Sequence, residues 1–179
     1  RHSPDIVMIG EIRDLETAEI AMKASLTGQL VLSTLHTNDA ASAVTRLIDM
    51  GVEPFLVASS VSLIEAQRLV RKLCTKCRQP FDPTPDVLKK LDVPPSKGAT
   101  FFQPGGCRLC NGTGFHGRMG IMEVFTVDEH IRELVVNRSQ SWEIKDYAVK
   151  AQGMRTLRED GVKKAEQGLT TLEEVIAVT

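Results

Sequence analysis

The sequence predicts an α/β core, an inserted four-cysteine subdomain and a helical C-terminal tail. Three observations carry that expectation. Strand-like and helix-like runs alternate through residue 68 or so, which implies a parallel sheet covered on both faces. Four cysteines fall as two C-x2-C pairs around a stretch rich in Pro and Gly. From Asp128 onward the texture is that of successive helices.

The elements follow in order. Asp5 to Ile9 (DIVMI) is a short β-branched run of buried-strand type. Asp14 as N-cap predicts a helix through Thr27, with Leu15, Ala18, Ala21, Met22 and Leu26 along one side and Gly28 as the stop. Gln29 to Leu35 (QLVLSTL) reads as a second strand. Asn38 or Asp39 caps a second helix that turns Ala40, Val44, Leu47 and Ile48 inward and closes at Gly51. Pro54 opens a third helix, expected to run to about Arg68. Past Cys74 six prolines break the chain, with one short helix at Asp86 to Leu91. Gly105 to Gly120 implies turns and close backbone approaches, and Met119 to Phe125 a strand. In the tail, Thr126 or Asp128 caps one helix, Ser141 the next, and Thr170 or Thr171 the last.

Composition narrows the function classes. Forty-two per cent apolar residues support a buried core, and only 4% aromatics mean that core is mostly Leu, Val, Ile, Ala and Met. The 22 basic and 23 acidic residues nearly cancel, which argues against a nucleic-acid binder driven by bulk charge. No apolar run approaches the roughly 20 residues of a membrane span, and no secretory signal opens the chain. The chain begins at Arg1, without Met, directly before a strand-like run, and reads as a piece of a longer protein.

The cysteines give the strongest chemical signal. Cys74-x2-Cys77 and Cys107-x2-Cys110 are separated by 29 residues. Each C-x2-C turn sets two thiolates at neighbouring corners of a tetrahedron, and Zn²⁺ asks for little more than four soft ligands at roughly 2.3 Å. The alternatives are two disulfides or unpaired thiols. The spacing leaves no open coordination position, so the metal is structural. Four thiolates around Zn²⁺ carry excess negative charge, which Arg71, Lys72, Lys76, Arg78 and Arg108 could offset; plain solvated surface charges are the equal alternative. His116 is the one candidate for a spare ligand, and His2 and His130 receive no role. The lone Trp142, after Ser141, reads as a packing residue.

Two polar clusters lie at strand ends. In Ile6-Val7-Met8-Ile9-Gly10-Glu11-Ile12-Arg13-Asp14, Glu11 stands just past a buried strand, where α/β proteins bind ligands. A solvated strand-end Glu is the alternative. Thr34-Leu35-His36-Thr37-Asn38-Asp39 ends the next strand and puts a His beside Glu11, suited to donating to a phosphate oxygen. A lone His is more often structural, but the two strand ends reinforce each other.

Read together, PDIVMIGEIRDLETAEIAMKASLTGQLVLSTLHTNDAASAVTRLIDMGVEPF, AQRLVRKLC, the two C-x2-C pairs and GRMGIMEVF closely resemble the secretion and pilus-assembly ATPases. Within that superfamily the chain resembles the C-terminal part of a type II secretion or type IV pilus assembly ATPase. The resemblance implies the C-terminal half of a RecA-like P-loop ATPase sheet, and three regions. Residues 1–72 would be a partial ATPase core, 73–117 a zinc-binding subdomain, and 118–179 a C-terminal strand and helical subdomain. GEIRD resembles the Walker B box, which makes Glu11 the acid acting on Mg²⁺. STLHTND resembles the histidine box, with His36 near the γ-phosphate of ATP and Thr34 beside it. Arg13 would lie close to the nucleotide and the subunit boundary. The resemblance further implies a hexamer, ATP as substrate, inner-membrane platform proteins as partners, no direct contact with nucleic acid, and a cytoplasmic place at the bacterial inner membrane.

One departure is large. The chain holds no G-x-x-x-x-G-K-[ST], so the amides and lysine that cradle phosphates are expected upstream, with the base and the clamping arginines. Because phosphoryl transfer is almost all positioning and electrostatics, these residues alone are not expected to turn over ATP. The competing reading is a zinc-ribbon adaptor that docks a protein or nucleic acid. The basic stretch Arg68 to Arg78 favours it, and the scarcity of base-stacking aromatics opposes it.

Overall fold

The computed structural model describes residues 4–91 and 94–179; His2 lies outside them. In chain order the elements are β1 (Ile6–Ile9), α1 (Leu15–Leu26), β2 (Leu30–Ser33), α2 (Ala41–Asp49), α3 (Pro54–Ser60), β3 (Leu63–Leu73), β4 (Gln79–Phe81), α4 (Pro85–Leu91), β5 (Phe101–Gln103), β6 (Phe115–Thr126), α5 (Glu129–Val136), α6 (Ser141–Gln152), α7 (Leu157–Glu166) and α8 (Leu172–Val178). The class is mixed α/β, as expected. Among the described residues no helix is long and apolar enough to cross a membrane.

The chain divides into two compact units, residues 1–66 with 124–154, and residues 67–123 with 155–179. In the first, β1 and β2 pair in parallel, Ile6 opposite Leu30 and Ile9 opposite Ser33. Asp14 caps α1 by accepting from the Thr17 N–H at 2.8 Å. The N-cap of α2 is Ala40 and not Asn38 or Asp39, but Asp39, one residue earlier, accepts from the Ser42 N–H at 2.9 Å. The core is mostly aliphatic: Ala18, Ala21 and Met22 of α1, Val44 and Leu47 of α2, Val57 of α3, Ile131 and Val135 of α5, and Ile144 and Ala148 of α6, with Phe125 of β6 as its aromatic. α3 packs on α1 and α5, and α6 packs on α2.

One face of this strand pair departs from expectation. The register puts Ile6, Met8, Leu30 and Leu32 on the same side, and all four are 50–79% exposed. Of the α1 stripe, Leu15 and Leu26 are also exposed.

The second unit has its own core. β4 and β5 form an antiparallel hairpin-like pair with Phe81 opposite Phe101. Leu91 and Phe101 are buried with Val162, Ala165 and Leu172 of α7 and α8, and Phe81, Val87, Leu88, Ala99 and Ile176 pack around them. α7 and α8 approach closely at Gly161, where a Cβ would stand 2.6 Å from a methyl of Val175.

Several boundaries differ from the sequence reading. α3 stops at Ser60 instead of near Arg68, and Leu63–Leu73 is a strand. β3 pairs with β6, which starts earlier than Met119. The Val127 N–H bonds to the Ser62 carbonyl in the first unit and the Cys74 N–H to the Gly114 carbonyl in the second, so the two strands run antiparallel. β2 is shorter than Gln29–Leu35. α6 is capped by Gln140, in a box with Glu143, and not by Ser141. α7, capped by Thr156 with Glu159, was not anticipated. Trp142 does not pack: it is 67% exposed.

Candidate functional site

The parallel pairing of β1 and β2 brings two loops together at one strand end. Past the last ladder pair, the Ile12 N–H still bonds to the Thr34 carbonyl at 3.0 Å. The Thr34 hydroxyl donates to the Gly10 carbonyl at 2.7 Å. These bonds hold the Gly10–Glu11 turn level with the loop that carries His36.

Glu11, His36 and Arg13 then converge. Arg13 Nε donates to Glu11 Oε2 at 2.5 Å, and His36 Nε2 stands 2.5 Å from Glu11 Oε1. The Glu11 side chain is only 18% exposed, whereas Arg13 is 77% and His36 88% exposed. A carboxylate anchored at the sheet tip thus meets two solvent-facing groups able to donate. Oε1 is buried and accepts no hydrogen bond, although His36 Nε2 stands against it. A buried acceptor without a donor is unusual, and a cation fits such a place. The structure therefore brings together all four residues singled out at the strand ends, Thr34 through its bond to Gly10.

Sequence reasoning missed one part of this site. Asp39 Oδ2 lies 3.0 Å from Lys145 Nζ on α6. The two residues stand 106 positions apart, and no local pattern links them.

The four cysteines also gather, into a second site in the other unit. All four Sγ atoms lie within 4.8 Å of one another. Cys74 to Cys107 and Cys77 to Cys110 are each 3.8 Å, and Cys107 to Cys110 is 3.7 Å. A tetrahedron with metal–sulfur bonds of 2.3 Å has edges of about 3.8 Å. Disulfides, with S–S near 2.05 Å, are absent among the described residues, where all four cysteines are free. The cluster is therefore spaced to hold a metal ion. His116 is not part of it.

Local backbone builds this cluster. The Cys77 and Arg78 N–H groups turn back to the Cys74 carbonyl. Gly105 is required by contact, because a Cβ there would stand 2.2 Å from the Cys77 carbonyl oxygen. Burial pushes the Cys110 thiol up, but N–H groups of Cys107 and Gly114 outweigh it and bring the thiol down to about 6. Burial, with the neighbouring thiols, pushes Cys77 up to about 12. Metal capture would displace the proton that Cys77 retains.

Of the cations expected to offset a thiolate cluster, two have other partners. Arg71 makes a forked contact with Glu174, at 3.0 and 2.6 Å, and stacks over Phe115 at 4.1 Å. Arg78 lies over the Phe102 ring at 4.7 Å and donates to the Gly168 carbonyl.

These features match a known family. The sequence profile of the type II/IV secretion system proteins matches residues 1–177, and the chain belongs to that family. It is 50% identical, over its whole length, to 20% of the type IV pilus assembly ATPase PilB of Thermus thermophilus. It is 54% identical, again over its whole length, to 34% of the type II secretion system protein HxcR of Pseudomonas aeruginosa. The chain thus spans a fifth to about a third of these relatives. Its fold is that of part of the pilus retraction motor PilT, solved with bound ADP, at a TM-score of 0.67 and 24% identity, covering 100% of this chain and 40% of that one.

Proposed function

We propose that the chain is the C-terminal portion of a hexameric ATP-hydrolysing motor that powers type II protein secretion or type IV pilus assembly. The observation that supports this most is the convergence of Glu11, Arg13 and His36 at the tip of a parallel strand pair, the end of an α/β sheet where phosphates bind. In this reading Glu11 is the carboxylate that would hold Mg²⁺, and its buried Oε1, which accepts no hydrogen bond, fits that use once His36 turns to the phosphate. Bound Mg²⁺ would supply neutralisation of the phosphate charge. His36, 88% exposed, would donate to the γ-phosphate. Arg13 would reach toward the nucleotide and the subunit boundary. Thr34 contributes beside the nucleotide by holding Gly10, and through it Glu11, in place.

The finer fold in this proposal is the C-terminal half of a RecA-like sheet. A groove of about 560 Å³ lies along β2, walled by Leu30–Ser33 and Ser62–Glu65 with Ala21, Met22 and Leu47 beneath. We assign it to a strand bearing the phosphate-binding loop. Residues 1–72 form the partial core, 73–117 carry structural Zn²⁺ on Cys74, Cys77, Cys107 and Cys110, and 118–179 complete the C-terminal subdomain. The motor would work in the cytoplasm, at inner-membrane platform proteins, without binding nucleic acid. The 179 residues hold no phosphate cradle and would not turn over ATP alone.

The test is a chimera in which this chain replaces the matching segment of the Thermus thermophilus ATPase. Glu11→Gln should abolish turnover and leave ATP binding largely intact, because the phosphate cradle stays while Mg²⁺ positioning is lost. A near-normal rate would remove Glu11 from the site.

A further inference from the structure

The loop from residue 34 to 40 carries His36 between two anchors. At one end, Thr34 is tied to the tip of β1 through the Gly10 carbonyl and the Ile12 N–H. At the other, Asp39 divides its carboxylate. Oδ1 accepts from the Ser42 N–H at 2.9 Å and from the Ser42 hydroxyl. Oδ2 faces Lys145 Nζ at 3.0 Å.

The two duties differ in kind. The Ser42 bonds are local and travel with α2. The Lys145 contact ties the loop to another helix. α6 gives that contact a firm base, because Ile144 and Ala148 on either side of Lys145 are fully buried. The pair is itself sheltered, with side chains 33% and 25% exposed, so solvent screens it less than an open surface pair. Burial pushes the Asp39 carboxyl up, yet Ser42 and Lys145 together hold it below its ordinary value.

We propose that Lys145 is a positioning residue for His36: through Asp39 its ammonium holds the 34–40 loop so that the imidazole stays against Glu11. Any displacement of α6 is then passed to the histidine. For its effect on turnover this inference rests on the nucleotide reading of the Glu11–His36 cluster; the anchor itself does not.

Lys145→Met is the probe. It keeps the apolar stem, removes the charge and leaves the Asp39–Ser42 bonds in place, so the chain should fold. Hydrogen exchange on the 179-residue chain should quicken about fivefold or more at amides 35–40, with no change at Ile131 to Val135 in α5. Lys145→Arg should restore protection. Unchanged exchange at 35–40, or an equal acceleration in α5, would overturn the proposal. In the chimera, Lys145→Met should lower kcat about tenfold with KM for ATP within about twofold, and Arg should recover it. If Glu11→Gln abolishes turnover while Lys145→Met leaves kcat unchanged, the positioning role is wrong. If Glu11→Gln leaves turnover intact while exchange responds as expected, the anchor stands and the nucleotide reading falls.

Discussion

The open face of the β1–β2 pair should make the 179-residue chain self-associate. Ile6, Met8, Leu30 and Leu32 share that face and are 50–79% exposed. Burying a fully exposed side chain of this size contributes roughly 1.5–3 kcal/mol, so covering these four is worth roughly 4–7 kcal/mol. Among the described residues β2 pairs with β1 alone, so its outer edge along the groove is a template for another strand. Contiguous apolar surface of this kind is rare on monomers. Met8→Thr with Leu32→Thr keeps strand propensity and removes about half of the apolar driving force. Association should then weaken by roughly 2–3 kcal/mol, which is about 30- to 150-fold in Kd. Light scattering across a concentration series measures both species. A wild-type chain that stays monomeric throughout, or an association that the double variant does not weaken, would refute the reasoning.

Three further outcomes are expected. Elemental analysis of the chain purified without chelator should find one zinc per chain, and Cys107→Ser should release it. Proteolysis should then open the backbone around Gly105 to Gly114, while Leu91 and Phe101 stay protected by their packing on α7 and α8; cleavage at both places alike would contradict this. Arg71→Met should cost about 0.5–1 kcal/mol after allowance for solvent screening, read by urea unfolding. The forked Arg71 contact holds the Glu174 carboxyl below its ordinary 4.5, so this difference is present above pH 4.5 and fades as pH falls through the lowered value; a difference that grows on acidification would be the wrong sign. Gly161→Ala should lower stability by roughly 1–3 kcal/mol through overpacking against Val175, visible as a reduced Tm.

What the sequence revealed about the fold follows the range of the interactions. The sequence marks Asp14, one of Thr126 and Asp128, and one of Thr170 and Thr171 as caps, and Asp14, Asp128 and Thr171 each accept from an N–H three residues on. A cap is written within four residues and needs no distant partner. β3 was misread for the opposite reason. Glu65, Ala66, Gln67 and Arg68 are good helix formers after a helical start at Pro54, and the strand exists through pairing with β6, some fifty residues away. A period-two signal is present in Ile64, Ala66 and Val70, three of the four buried positions of β3; the fourth, Leu73, falls out of phase. β4 was hidden by Pro80, which reads as a breaker yet sits opposite Phe102 in the ladder.

The same division applies to the two sites. The cysteine cluster was legible because each C-x2-C turn carries half of its geometry locally, and only the meeting of the halves needs the fold. The Glu11–His36 contact needed a parallel register, which two strand-like runs separated by a helix already imply. The cations expected beside the thiolates were a weaker guess, since charge proximity along the chain says nothing of direction. Arg71 turns instead to Glu174, 103 positions away, and Arg78 to Gly168, 90 positions away. Asp39 shows the two kinds of information in one side chain. Its bond to Ser42 is local, at the start of the helix that the sequence announces, and its bond to Lys145 belongs to tertiary packing alone. A residue whose local role is already satisfied conceals its long-range one, and that is why the link between α6 and the histidine loop emerges only from the folded chain.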